Sequence, residues 1–419
     1  MTAFNESPMK KLCFSCRTWN RAEVLELTVS RRAEEIEKFG LQDRVIIFLI
    51  DNCSSDHTPK VIKKLKNKYP FIIAWRSPTW KKQEEPFQIP KEIVEATKAE
   101  FTWIFGDDDL LLKDTLPLVW KILNSENAKQ ALIIHTGNAL NKPHSYKVYP
   151  GTVLMFANLM GFNQFIGWAA SIITNNSMWH NLAEKHRIYY LEKLGQKFWA
   201  EVWPEYWKVY KEAAFSYVLT ILHLFSQAKA LVIDYPICEP LKHFDADTGE
   251  RWERENIGWR YFLFVRGLKF MYDRGILQTK LKPKFFKYLN HYLWDRFLIE
   301  MIASRLGIYT RNPRPDEGWQ YILDIADLLD DAETANYIRE TTYRAKTLAE
   351  EYLKIQADLK TLPKNKIHRK KILSQKAKNI KTQLLNLYEE AVRPKFQEGW
   401  AGEGYQDYVE KEFTTLTTY

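Results

Sequence analysis

The first 105 residues alternate between short apolar runs and longer segments with helical spacing of their apolar residues. The apolar runs cover residues 11–16, 45–50, 71–75 and 101–105, and the helical segments cover 21–39, 58–67 and 90–98. Strands joined through helices pair in parallel with right-handed crossovers, and the helices cover both faces of the sheet. The sequence therefore predicts an α/β fold with a mostly parallel sheet, in which ligands bind beyond the carboxyl ends of the strands.

From residue 259 onward nearly every segment has the apolar spacing of a helix. The helical segments cover residues 259–274, 283–305, 319–329, 335–362 and 370–390. We therefore expect an α/β domain over residues 1–255 and an all-helical domain over residues 256–395, followed by a tail over residues 396–419. The helical domain is expected to serve acceptor binding, docking on a membrane surface or assembly.

The cysteines and the absence of long apolar runs predict a cytoplasmic protein. No run approaches the roughly 20 residues of a membrane-spanning helix, and residues 1–11 lack the apolar centre of a signal peptide. Four cysteines in 419 residues indicate a reducing compartment. Cys13 and Cys16 form a C-x-x-C pattern within a predicted strand, where residues three apart lie on opposite faces. We expect both to pack in the core rather than to form a metal or redox pair.

The net charge of +9 is concentrated near the C-terminus. Residues 354–381 contain ten Lys or Arg and a single acid, Asp358. No aromatic residue is interleaved in this segment and no nucleic-acid-binding module is recognisable, so we do not expect nucleic acid as a partner. The segment is predicted to be an exposed helix face or a peripheral contact with anionic lipid head groups at the inner face of the membrane.

Three predicted strands end in clusters of polar residues. The clusters cover residues 16–21 after the first strand, 51–58 after the second and 106–109 after the fourth. The three consecutive carboxylates of Asp107, Asp108 and Asp109 repel one another unless a cation lies among them, and Mg²⁺ or Mn²⁺ prefers such hard oxygen ligands. Taken singly, each cluster also fits a solvated turn or a helix cap.

Together the three clusters resemble the inverting glycosyltransferases of the family-2 type, which have the GT-A fold. Thr18-Trp19-Asn20-Arg21 matches the turn after the family's first strand, and residues 51–58 match its Asp-Asn-x-Ser-x-Asp-x-Thr pattern. Asp107-Asp108-Asp109 matches its D-x-D motif. The resemblance covers residues 10–240 and is greatest to the bacterial branch that builds surface polysaccharides.

The resemblance implies a donor, a metal and a set of binding residues. The donor would be a nucleotide-diphosphate sugar, with UDP as the expected nucleotide, and the metal Mg²⁺ or Mn²⁺. The implied donor-binding residues are Thr18, Asn20, Arg21, Asp51, Asp56, Asp107 and Asp108. The implied metal ligands are Asp107, Asp109 and His243. The acceptor would be a hydroxyl of a glycan or a lipid-linked glycan, and the transfer would invert the anomeric configuration.

The sequence departs from the family at the catalytic base. The usual Glu-Asp pair opening a later helix is absent, and Glu212 is the nearest acid in register. Asp245 and Asp247 compete with it as the base, while Glu212 also fits a solvated first-turn residue. His243 also fits an ordinary loop histidine, and Arg251 and Arg254 fit either a diphosphate clamp or a solvated charge run.

Two other functions remain open at this point. A nucleotidyltransferase shares the topology, but it normally carries a glycine-rich loop after its first strand, and residues 17–20 contain no glycine. A non-catalytic binding or scaffold protein with a degenerate GT-A domain is favoured by the missing Glu-Asp pair and opposed by the intact acidic triplet. The sequence also leaves a homo-oligomer open.

Overall fold

The computed structural model describes residues 11–79, 98–138, 148–181, 213, 216–241, 257–288, 291–306 and 315–392. It divides into two compact units, Met1–Met160 with Gln164–Arg251 and Gly161–Asn163 with Trp252–Tyr419. The predicted helix over residues 90–98 lies outside the described residues except at its last position.

The first unit begins with the predicted alternation of strands and helices. The elements are β1 (Leu12–Thr18), α1 (Ala22–Lys38), β2 (Val45–Asp51), α2 (Thr58–Lys68), β3 (Ile72–Arg76) and β4 (Phe101–Gly106). All four strands pair in parallel, in the order β3-β2-β1-β4. The predicted α/β architecture with a mostly parallel sheet is confirmed, and these four strands form its parallel part.

The later strands extend this sheet and make it mixed. The further elements are β5 (Asp109–Leu111), α3 (Leu116–Leu123), α4 (Glu126–Gln130), β6 (Ile133–Asn138), β7 (Val148–Thr152), α5 (Val153–Met160), β8 (Ile172–Asn175), α6 (Ser216–Phe225) and β9 (Lys229–Pro240). The complete order is β3-β2-β1-β4-β8-β6-β9-β5, with β7 also paired to β9. The strand β8 runs antiparallel to both β4 and β6, whereas β6 and β9 are parallel.

The strands β1, β2 and β4 carry buried apolar residues on both faces because each face is covered. The larger core contains Phe14 and Cys16 of β1 together with the apolar stripe of α1, including Leu25 and Val29. Cys13 packs on the opposite face with Ile46, Ile50 and Ala99. The two cysteines therefore lie on opposite faces, as predicted, and burial raises the pKa of the Cys16 thiol to about 12.

The second unit is helical, as predicted. Its helices are α7 (Ile257–Asp273), α8 (Leu293–Arg305), α9 (Pro315–Leu328), α10 (Ala332–Thr361) and α11 (Ile367–Val392). A short hairpin of β10 (Lys287–Tyr288) and β11 (His291–Tyr292) precedes α8. Phe262, Phe297 and Tyr321 join α7, α8 and α9 through ring contacts with centroids 4.5 and 5.2 Å apart. None of the helices in the described part of the chain combines the length and the hydropathy needed to cross a bilayer.

Candidate functional site

The polar clusters after β1, β2 and β4 meet at one edge of the sheet. Thr18 lies opposite Asp51 in the β1–β2 pairing, and Arg17 lies opposite Gly106 in the β1–β4 pairing. Because the three strands are parallel and adjacent, the turns that follow them are neighbours. The structure thus brings the three predicted clusters to one edge of the sheet.

Asn20 connects the turn after β1 with the turn after β2. Its backbone N–H donates to Ser54 Oγ at 2.9 Å, and its side-chain Oδ1 accepts from the N–H of Ser55 at 2.8 Å. Its φ of 53° lies in the left-handed region, which asparagine tolerates better than most residues. The side chain of Asn20 is thus occupied in shaping the site.

Asp56 connects the first turns of α1 and α2. Its carboxylate accepts from the N–H of Thr58 at 2.9 Å and from the N–H of Ala22 at 3.4 Å. Partial burial raises the pKa of Asp56, but the hydrogen bonds from Thr58 and Ala22 outweigh it and hold the pKa below the usual value. Thr58 is the first residue of α2, and its hydroxyl accepts from the Arg21 N–H at 3.1 Å.

Asp51 is the buried carboxylate at the end of β2. Its Oδ1 accepts from the N–H of Ser54 at 2.9 Å, which closes the turn, and its Oδ2 lies 3.3 Å from Nε of Arg76. Asp51 also lines an open cavity of about 390 Å³ between α2 and β3, where Lys63, Lys66 and the half-exposed Trp75 add positive charge and an aromatic surface.

Asp107 and Asp108 share one guanidinium. Nη1 of Arg21 donates to Asp107 Oδ1 at 2.7 Å and to Asp108 Oδ2 at 2.9 Å. The carboxylate of Asp107 is nearly buried, whereas that of Asp108 is 38% exposed. Burial raises the pKa of Asp107, and the charge of Arg21 opposes that shift. The two carboxylates converge on a single cation at the sheet edge.

Asp109 has a different orientation from its two neighbours. Its Oδ1 accepts from Nε1 of Trp168 at 2.9 Å, and its Oδ2 accepts from the N–H of Gly106 at 2.7 Å. Burial raises the pKa of this carboxyl group, and the charge of Asp108 adds to the shift. A role for Asp109 as a metal ligand stays a prediction. The ion would have to bind lone pairs of the carboxylate oxygens that the hydrogen bonds from Trp168 and Gly106 do not use.

Arg32 of α1 donates hydrogen bonds to the backbone of the acidic turn, and the sequence did not identify it as a site residue. It is fully buried, and its Nη2 donates to the carbonyls of Gly106 at 2.9 Å and Asp109 at 2.6 Å. Its guanidinium lies 4.0 Å from the centre of the Phe105 ring. A sequence signal does exist, because Arg32 falls on the apolar stripe of α1, between Val29 and Ile36.

The acidic turn also contacts the end of β9. Asp109 pairs with Pro240, and the N–H of Leu241 donates to the carbonyl of Asp108 at 2.8 Å. The next residues along the chain lie outside the described residues, among them the predicted ligand His243 and the candidate base Asp245. The other candidate base, Glu212, also lies outside them, as do Asp247, Arg251 and Arg254.

The described residues supply two convergent carboxylates rather than a complete metal site. No group of three or more His, Cys, Asp or Glu side chains suited to a metal occurs in the described ranges. Mg²⁺ commonly uses one or two carboxylates and completes its shell with water and substrate phosphates. Asp107 and Asp108, already converging on the cationic group of Arg21, fit that mode of binding.

A curated relative is similar to part of this chain, although no protein-family model matches it. Over 115 residues the chain is 31% identical to abequosyltransferase RfbV of Salmonella typhimurium strain LT2. The match covers 27% of this chain and only 33% of the relative, so it spans about a third of the relative's length. To that extent the resemblance to bacterial glycosyltransferases is confirmed.

Solved structures resemble this chain at low sequence identity. TarS 1–349 of S. aureus in complex with UDP-GlcNAc is 12% identical, with a TM-score of 0.48 over 80% of this chain and 90% of that chain. The mannosyltransferase PcManGT of Pyrobaculum calidifontis in complex with GDP-Man and Mn²⁺ is 14% identical, with a TM-score of 0.39 over 66% of each chain.

Proposed function

We propose that this chain is a metal-dependent glycosyltransferase that moves a sugar from a nucleotide-diphosphate donor to a glycan hydroxyl. The observation that carries the proposal is the convergence of Thr18, Asp51 and the Asp107–Asp108 pair at the carboxyl edge of a parallel sheet. Open α/β sheets bind ligands at this edge. The partial similarity to abequosyltransferase RfbV supports the same class of reaction.

The nucleotide is proposed to lie along the ends of β1 and β2. Asp51 and Arg76 present a carboxylate and a guanidinium 3.3 Å apart at that edge, and the base of a nucleotide can bond to both. Asn20 and Asp56 act indirectly, because their side chains fix the two turns that carry Thr18 and Asp51. UDP is the proposed nucleotide, on the family resemblance alone.

The diphosphate and metal are proposed to lie at the acidic turn. When bound, Mg²⁺ or Mn²⁺ supplies neutralisation of the negative charge on the leaving nucleotide. Asp107 and Asp108 would hold the ion, and Arg21 keeps their charges balanced before it binds. Asp109 and His243 remain candidate ligands, and Glu212, Asp245 and Asp247 remain candidate bases that take the proton of the acceptor hydroxyl in an inverting transfer.

The cellular setting follows from the family resemblance and is part of the proposal. The acceptor is proposed to be a growing or lipid-linked surface glycan, elongated at the cytoplasmic side of a bacterial membrane. The all-helical region that follows the α/β region is proposed to contribute acceptor binding, docking or assembly.

The proposal is tested with a panel of UDP-, GDP-, dTDP- and CMP-sugars, scored for calorimetric binding and nucleotide release with Mn²⁺ or with EDTA. We expect one donor to bind in a metal-dependent manner, with affinity lowered about tenfold or more by Asp107→Asn or Asp108→Asn. Asp114→Asn is the matched control, since Asp114 is an exposed acid close by in sequence that bonds to Lys38. Asp109→Asn separates two roles of Asp109. Weaker donor binding at an unchanged melting temperature indicates a metal ligand, whereas a lowered melting temperature indicates a structural role.

Two results would contradict the proposal. Failure of every donor to bind, with all variants folded, would favour a non-catalytic scaffold. Binding of nucleoside triphosphates with release of pyrophosphate would instead indicate a nucleotidyltransferase.

A further inference from the structure

The helices α10 and α11 form a hairpin, joined by residues 362–366. We call residues 353–381, which include the end of α10, the connection and the start of α11, the hairpin tip. All of them are described, and they contain the ten Lys and Arg residues of the basic segment 354–381. None of these residues belongs to the acidic turn of the candidate site, so the proposed transfer reaction does not explain the charge of the hairpin tip.

The apolar residues of the hairpin that face inward are used in packing. In α11 the buried residues recur at intervals of three and four, as Ala377, Ile380, Leu384 and Leu387. In α10 the buried residues include Ala345, Ala349 and Ile355, at compatible spacing. Such spacing places one apolar stripe on each helix, and the two stripes pack together. Both helices also pack on α8, and α10 packs on α9 as well. At the hairpin tip, however, most residues outside the stripes are exposed and form its open faces.

The open faces of the hairpin tip are strongly cationic. Nine of the ten basic residues are exposed, and Lys381 is partly exposed. Lys376 is paired with Glu351 at 2.6 Å, and no ion pair with a carboxylate of the described residues involves the other nine. With Asp358 as the only acid between residues 354 and 381, the local field is left uncompensated. An uncompensated cationic surface attracts an anionic partner.

Exposed aliphatic side chains lie among these cations. Ile367 is 74% exposed at the first residue of α11, and Ile372, farther along the same helix, is 54% exposed. Leu353 is 39% exposed at the end of α10 that belongs to the tip. Aliphatic side chains of this size gain free energy when they leave water, and no described residue covers them.

The combination favours a lipid surface over nucleic acid. Binding of nucleic acid uses cations together with aromatic or polar groups that reach bases, and the tip has no aromatic residue between 354 and 381. A charged bilayer instead offers anionic head groups to Lys and Arg and an apolar layer just below them to aliphatic side chains. A charged bilayer therefore has a use for both features of the tip.

We propose that the hairpin tip docks on an anionic lipid bilayer, with its cations on the head groups and Ile367 and Ile372 in the interfacial layer. The inference is independent of the proposed transferase activity, since it rests on another unit of the chain. A transferase with a lipid-linked acceptor would gain a high local acceptor concentration from such docking.

The test is co-sedimentation of the full chain with vesicles of phosphatidylcholine alone or of phosphatidylcholine with phosphatidylglycerol. We expect binding only to the anionic vesicles, weakened by added salt. Each cation near such a surface contributes about fivefold to the partition coefficient. The triple variant Lys366→Gln, Arg369→Gln, Lys370→Gln should therefore bind about 100-fold more weakly. The control Lys60→Gln, Lys121→Gln, Lys280→Gln removes the same charge from exposed positions elsewhere and should bind like wild type.

The aliphatic contribution is tested separately, with Ile367→Gln and Ile372→Gln combined. Because transfer of aliphatic side chains out of water adds to the electrostatic attraction, this variant should bind the anionic vesicles more weakly than wild type at the same salt concentration. Three results would overturn the proposal: equal binding to both kinds of vesicle, equal losses in the two triple variants, or retention on a DNA or RNA fragment without retention on anionic vesicles. Circular dichroism confirms folding, and hydrogen exchange of wild-type residues 362–372 with and without vesicles gives a readout that needs no variant.

Discussion

His135 on β6 gives this fold a built-in sensitivity to acid. The side chain is fully buried, its Nε2 lies 3.0 Å from the carbonyl oxygen of Gln164, and its Nδ1 has no hydrogen-bond partner among the described residues. Nε2 therefore donates to the carbonyl, and a second proton would place a positive charge on a buried nitrogen with no acceptor. Burial lowers the pKa of His135 from 6.5 to about 4, although the bond to Gln164 opposes the shift.

The sign and size of the effect follow from proton linkage. Between pH 6.5 and pH 4 the unfolded chain binds a proton at His135 that the folded chain does not, so the free energy of unfolding falls as the pH falls. The slope is about 1.4 kcal/mol per pH unit, which accumulates to about 2 kcal/mol between pH 6.5 and pH 5. The contribution is fully present above pH 6.5 and is lost on acidification.

The measurement is urea unfolding at pH 8 and pH 5, for wild type and His135→Gln. Glutamine retains a neutral N–H₂ group that can donate to Gln164, but it cannot titrate. We expect wild type to lose about 2 kcal/mol more than the variant between the two pH values. His368→Gln, at an exposed position of α11, is the matched control and should behave like wild type. Equal pH dependence of wild type and His135→Gln would refute the reasoning.

Two further predictions concern the support of the acidic turn. Arg32→Met keeps the buried stem but leaves the carbonyls of Gly106 and Asp109 without their donor, so it should lower the free energy of unfolding by about 3 kcal/mol in urea titrations. The control Thr28→Val removes a single bond to the carbonyl of Asp107 and should cost about 1 kcal/mol. Equal losses in the two variants would show that Arg32 has no special role. Gly106→Ala would place a Cβ 2.5 Å from Asp109 Oδ2 and 2.7 Å from Asp108 Oδ1. It should weaken metal-dependent donor binding about tenfold in calorimetry, and unchanged affinity would mean that the two carboxylates can move without consequence.

The first half of the sheet was predictable because strong local signals and general rules agreed there. The runs that became β1, β2 and β4 are continuously apolar, and strands joined through helices are almost always parallel. Once these strands are adjacent, the meeting of Thr18, Asp51 and the acidic turn follows from topology alone. The position of β8 between β4 and β6 was not predictable, because antiparallel pairing across about 70 residues leaves no periodic signal in either strand.

The orientation of the three aspartates could not be read from their sequence. Three identical residues in succession carry no indication of which side chain faces the solvent. The structure assigns Asp109 to the start of β5, which pairs with β9, so its side chain shares the buried face of Leu111. Side chains alternate along a strand, and Asp108 just before it is accordingly exposed. Contact with a strand more than 120 residues away determines which carboxylates face the sheet edge.

Mutual repulsion of the three carboxylates is a weaker argument for a metal than the sequence alone indicates. Two guanidinium groups contact the acidic turn. Arg21, just before α1, donates to the carboxylates of Asp107 and Asp108, and Arg32, within α1, donates to the carbonyls of Gly106 and Asp109. The hydrogen bonds of Asp109 to Trp168 and Gly106 fix the third carboxylate. Because the chain provides these partners itself, the turn is formed before any ligand arrives. A metal ion with a diphosphate would then replace the hydrogen bonds of Arg21 to Asp107 and Asp108. Its binding would not carry the additional cost of ordering the turn.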